Sequence, residues 1–185
     1  MTNQKIEQLR QKLNEIYVER EEQINLIINA FNNKENIWLY GLTGTAKSAL
    51  FNDMAKGLGY SIYHINQQSA YFLLESYDEI NRTYNFNLDT NIPTVLFLNH
   101  PYFWHKSPDS IKAIVDIQRR RPELFPFEFI VGESLWPVNH EKTNWLTDYF
   151  QQEIQFEDIK NPLNRKKALK TKSLRDKYFN ATETT

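Results

Sequence analysis

The chain of 185 residues contains no cysteine. That excludes a disulfide framework, thiolate metal sites and a cysteine nucleophile, and it suits a cytoplasmic setting. No apolar run approaches the roughly 18 residues of a membrane span. The opening stretch, MTNQKIEQLRQKLNEI, is charged throughout and has no apolar leader core. Net charge is only −1, so the molecule as a whole exerts no strong pull on nucleic acid or on an anionic membrane. Glycine is scarce, at five residues, and three of these stand at Gly41, Gly44 and Gly57, in or just after one short segment. What remains is ordinary for a globular protein: 41% hydrophobic and 24% charged residues, enough for one sizeable core.

Spacing predicts a helix over residues 3–16, with Ile6, Leu9, Leu13 and Ile16 on one face. A second helix is expected from Glu19 to about Asn33, with acids at its N-terminal end. Residues 36–40 read as a buried strand, followed by a helix from about Thr45 to Leu58 that Gly57 or Gly59 can stop. Further strands are expected at 61–65, 93–100, 127–134 and near 153–157. Helices are expected at 68–82, from Ser110 to Arg121 and near 143–151. Strand and helix thus alternate, the mark of a mainly parallel sheet with crossover helices. The expected class is α/β, a five-stranded core over residues 1–159, followed by a basic C-terminal tail over 160–185. Between Lys160 and Lys177 that tail carries Asp176 as its one acid, which suits either a solvated terminal helix or a docking segment for an acidic partner or phosphate backbone. Nucleic acid therefore stays open as a partner of the tail.

Residues 41–48, GLTGTAKS, fit the pattern G-x-x-x-x-[GA]-K-[ST] between an apolar strand and a helix. A bound triphosphate needs inward-pointing amides in a tight turn, a helix N-terminus aimed at it, a lysine for the outer phosphates and a hydroxyl for magnesium. Gly41, Gly44, Lys47 and Ser48 supply these parts. Ala46 stands where the strict pattern has glycine, and it fits if that position takes helical angles.

The stretch from Tyr17 to Leu58, YVEREEQINLIINAFNNKENIWLYGLTGTAKSALFNDMAKGL, resembles the MoxR/RavA-like branch of the AAA+ P-loop ATPases. A V-x-R-like opening, a helix, a strand and a G-x-x-G-x-A-K-[ST] loop come in that order there, and alanine before the lysine is usual. YFLLESYDEI, at 71–80, is also similar. The resemblance implies ATP and Mg2+ as cofactors. It places Val18 near the base. It wraps Gly41, Thr43, Gly44, Thr45, Ala46, Lys47, Ser48 and Ala49 around the phosphates, with Ser48 on the metal. It also implies ring-like homo-oligomers, a protein partner, often of von Willebrand A type, and a helical lid of which this chain has at most a stub.

Three departures bear on turnover. The family's third-strand motif ends in Asp-Glu, whereas the strand here ends in Asn99 and His100. Asn99 would take the metal position without the charge, and a charge pair about 4 Å apart is worth about 4 kcal/mol at an effective dielectric of about 20. His100 is either a replacement base or a histidine that merely ends a strand. Ser134, or Glu133, would stand in for the family's sensor asparagine. No arginine occurs between Arg121 and Arg165, where relatives carry a finger for the neighbouring subunit, a feature worth about 10³–10⁵ in related chemistry. Expected, therefore, is an ATP-binding regulatory or assembly protein with impaired hydrolysis. The alternatives are a slow but active ATPase remodelling a partner, and a scaffold without nucleotide. HPYFWHKSP, at 100–108, is either a packing lid or a contact surface.

Overall fold

The computed structural model describes residues 3–65, 77–78, 83–84, 88–89, 91–99, 108–120, 122–141 and 143–180. Its centre is a five-stranded sheet. The strands are β1 (Ile37–Gly41), β2 (Ser61–Ile65), β5 (Thr94–Asn99), β6 (Ile130–Ser134) and β7 (Gln152–Phe156). Their order across the sheet is β2-β5-β6-β1-β7, and every neighbouring pair is parallel. A separate two-residue antiparallel ladder joins β3 (Tyr77–Asp78) to β4 (Thr83–Tyr84). These short strands correct the expected helix over 68–82. Most of that stretch lies outside the described residues, but at 77–78 the chain is extended.

Buried side chains alternate between the two faces of the sheet, as period-2 geometry requires. On one face Ile37, Leu39, Val95, Phe97, Val131 and Ile154 meet three helices: α1 (Asn3–Ile16), α2 (Glu21–Asn33) and α3 (Lys47–Gly57). Leu9, Leu13 and Ile16 of α1 and Ile24, Ile27, Ile28 and Phe31 of α2 are the buried stripes that the spacing predicts. On the other face Trp38, Leu96, Leu98 and Ile130 pack against Ile114 and Val115 of α4 (Pro108–Arg120) and against Leu146. The Trp38 indole N–H also donates to the Trp136 carbonyl at 2.9 Å.

Three boundaries differ from expectation. Helix α2 starts at Glu21, because Glu19 takes a left-handed turn at φ 58. The strand expected over 127–134 is reduced to Ile130–Ser134, and Phe127 and Phe129 are buried from a bend before it. The helix expected near 143–151 is a 3-10 segment, Asn144–Tyr149.

The basic tail is helical and returns to the core. Asn161 caps α5 (Pro162–Lys170) by accepting from the Leu163 amide, with Pro162 in the first turn where its missing N–H costs nothing. Then follow α6 (Lys172–Arg175) and a π-helical turn, Asp176–Asn180. Arg175 grips Asp53 of α3 with two hydrogen bonds, at 2.7 and 3.0 Å, and Phe179 is buried beside α1 and α3.

Candidate functional site

The carboxyl ends of parallel strands are the usual ligand-binding edge of such a sheet. Here β1 runs out at Gly41 into the loop of residues 42–46, and α3 begins at Lys47. Gly41, at φ 139, could not carry a side chain: an added Cβ would lie 2.1 Å from the Phe156 carbonyl oxygen of β7. Gly44 is also left-handed, at φ 85. Ala46 corrects the reading made from the sequence. It precedes α3 at φ 70 and ψ 21, left-handed rather than helical. The turn demands the conformation that glycine adopts freely, and a methyl group there costs about 1–2 kcal/mol.

The loop is held by its own side chains. Lys47 is buried, and its ammonium donates to the carbonyls of Gly41 at 2.8 Å and Leu42 at 2.9 Å. Thr45 is buried and donates to the Leu42 carbonyl at 2.8 Å. Thr43 is exposed, and Ala49 packs against the core from the first turn of α3. Burial holds the Lys47 ammonium below its ordinary range, with the Glu133 charge opposing.

Glu133 stands at the end of β6, the strand beside β1. Its carboxylate accepts from the Ser48 hydroxyl at 2.8 Å and lies 3.8 Å from the Lys47 ammonium. Asn99, at the end of β5, is its register partner. Ser134 is one residue further along β6 and fully buried. Its hydroxyl oxygen accepts the Trp136 amide at 3.0 Å, and none of its hydrogen bonds among the described residues reaches the loop. His100 and the aromatic run at 101–107 lie outside the described residues.

A cavity of about 490 Å3 opens beside the loop. Gly44, Thr45 and Ala46 form one wall, and Val18, Ile16 and Ile159 give it an apolar side. Arg165, Ala168 and Thr171 of the C-terminal segment complete it. Sequence spacing does not single out Glu133 over Ser134, nor Arg165 from the rest of the basic tail. Arg20 is a third such residue. It is buried, donates to the Glu157 carbonyl at 2.5 Å and, more weakly at 3.4 Å, to the Thr45 carbonyl, tying the loop to the exit of β7. The available signal for Glu133 is its position as the one charged residue in the buried run FIVGES. A larger cleft of about 910 Å3 lies on another side of Arg20, but Glu19, Glu21, Glu22, Glu153, Glu157 and Asp158 line it, which disfavours a polyanion.

The donor set fits a magnesium-bound phosphate chain: an ammonium, a hydroxyl on the first turn of a helix, and a carboxylate, all at one strand edge. Among the described residues no helix is long and apolar enough to cross a membrane.

Residues 4–81, under half of the chain, match the family model described as the MoxR domain in the MoxR-vWA-beta-propeller ternary systems. No curated protein matches in sequence. Among solved structures, a proposed ATPase from Cytophaga hutchinsonii ATCC 33406 superposes with a TM-score of 0.57 at 14% identity. The alignment covers 90% of this chain and 54% of that one, so the present chain spans about half of its neighbour's length. At that identity the likeness speaks for the fold, while the family match speaks for the segment that carries the phosphate loop. Together they give this chain the α/β fold of that neighbour and a first segment, residues 4–81, similar to a MoxR domain.

Proposed function

We propose that the chain binds ATP with Mg2+ and serves as a regulatory or assembly component, with impaired hydrolysis, in a system that includes a von Willebrand A-type partner. The observation that carries the nucleotide reading is the convergence of Lys47, Ser48 and the start of α3 beside a cavity walled by Gly44, Thr45 and Ala46. ATPases of the AAA+ class bind ATP with Mg2+, and the matched family model names a vWA protein in its ternary systems. In this reading Val18 and its apolar neighbours receive the base. Lys47 exchanges the carbonyls of Gly41 and Leu42 for outer phosphate oxygens. Ser48 turns its hydroxyl oxygen to the metal, and Asn99 lies at the edge of the metal's surroundings. Bound Mg2+ supplies charge neutralisation on the phosphates.

Impaired hydrolysis is supported by the chemistry at the end of β5. Asn99 is uncharged and is followed by His100, so neither residue there brings a carboxylate to orient a water molecule.

Calorimetry with ATP and Mg2+ tests the reading. The wild type binds, and Lys47→Ala loses roughly 10- to 100-fold in affinity, as expected for charge-assisted hydrogen bonds worth about 1.5–3 kcal/mol. No heat of binding in either protein would leave a scaffold without nucleotide. Phosphate release at ordinary ATPase rates from the purified chain would mark an active motor instead.

A further inference from the structure

We propose that Glu133 is the acid that holds the magnesium ion of this site, from the end of β6 rather than from β5, and that it makes nucleotide binding dependent on the metal. This rests on the nucleotide reading above and assigns one residue within it.

The aim of the carboxylate is the first observation. A glutamate placed only to neutralise Lys47 would make its close contact with the ammonium. Here the ammonium is 3.8 Å away and spends its hydrogen bonds on the Gly41 and Leu42 carbonyls. The short contact, 2.8 Å, is with the Ser48 hydroxyl, the group that a phosphate loop turns toward magnesium. Glu133 thus already shares a hydrogen bond with a metal-facing group.

Burial is the second. Glu133 is buried, and among the described residues the Ser48 hydroxyl is its only hydrogen-bond donor. An ionised carboxylate offers about four acceptor sites, and here one hydroxyl donor and an ammonium at 3.8 Å leave acceptor capacity over. A divalent cation, which takes oxygen ligands, suits that spare capacity.

Strand register is the third. Glu133 and Asn99 are paired across β6 and β5, so their side chains leave the same sheet edge on the same face. The uncharged Asn99 and the charged Glu133 therefore border one volume. With phosphates on the loop and no metal, the carboxylate would face like charge and also compete for Lys47. With a cation between them, the same carboxylate becomes attractive. Metal and nucleotide are then coupled through this one side chain.

The test is calorimetric titration of a non-hydrolysable ATP analogue into wild type and Glu133→Gln, each with Mg2+ and with EDTA. The wild type gains strongly from Mg2+. In Glu133→Gln that gain falls by roughly 10- to 100-fold, the usual effect of losing a group that supports a metal, while affinity in EDTA rises. Mn2+ in place of Mg2+, followed by electron paramagnetic resonance, gives a second readout: the variant–analogue complex retains less Mn2+. An equal Mg2+ gain in both proteins overturns the assignment and leaves nucleotide binding intact. A wild-type gain below about tenfold overturns it as well, whether or not the variant folds. Absence of binding in every condition sinks the nucleotide reading, and this assignment with it.

Discussion

Ala46 sits before α3 at φ 70, a position where L-residues other than glycine carry strain. The loop keeps that geometry because Thr45, Lys47 and Arg20 all bond to loop carbonyls, or to the strand exit beside them, and over-determine it. Ala46→Gly should therefore stabilise the fold by about 1 kcal/mol, after allowance for the extra freedom of glycine in the unfolded chain. Equilibrium urea unfolding checks the sign, and destabilisation would show that the methyl contributes packing that outweighs the strain. At this scale the motif made Lys47 and Ser48 legible, because their spacing is local. The angles of Ala46 were not legible, since the helix begins at Lys47, two residues later than the expected start near Thr45. Nor was the choice between Glu133 and Ser134. Adjacent residues of a strand face opposite ways, and only the strand's placement beside β1 decides which one meets the loop.

Among elements, the residue that follows α1, helix α3 and the C-terminal helical segment meet at one buried carboxylate. Asp53 of α3 accepts from the Tyr17 hydroxyl at 2.5 Å and from Arg175 at 2.7 and 3.0 Å. Burial, reinforced by the Asp53 hydrogen bond and charge, holds the Tyr17 phenol far above its ordinary 10.0. The folded protein keeps a proton there that the unfolded chain sheds near pH 10. Stability from this group is complete below that pH and drains away as the pH rises beyond it. Between about pH 9 and 11 the wild type should lose stability more steeply than Tyr17→Phe, by up to about 1.4 kcal/mol per pH unit above the phenol's unfolded value. Thermal melts across that range would show parallel slopes if Tyr17 were not the group responsible. Helices α1 to α3 were legible because each has a one-sided apolar stripe. The 3-10 segment at Asn144–Tyr149 was not: its buried anchor is the single residue Leu146, too little for a period.

At the scale of the molecule, the five-stranded parallel sheet follows from the alternation of elements, but the lateral order of its strands does not. Spacing also left two readings of the basic tail, and the structure folds it onto α1 and α3. Cations count toward net charge in a sequence, whereas Arg175 and Phe179 act through contacts more than a hundred residues away. A chain truncated after Ile159 should lose roughly 3–5 kcal/mol, from the buried Phe179 and from an Asp53 left without its cation. Calorimetric melting would refute this if the shortened chain unfolded at the wild-type temperature. The same segment supplies Arg165, Ala168 and Thr171 to the cavity beside the loop, so its docking and the shape of that cavity stand or fall together.

The lateral order of the sheet has one more implication. Because β6 lies between β1 and β5, the tips of two different strands overlook the same patch of loop, about one inter-strand step of 4.8 Å apart. A negative charge can thus change its address on the chain by more than thirty positions while hardly moving in space. Motifs read lengthwise would record a deletion there; read crosswise, along the rungs of the ladder, they record a transposition.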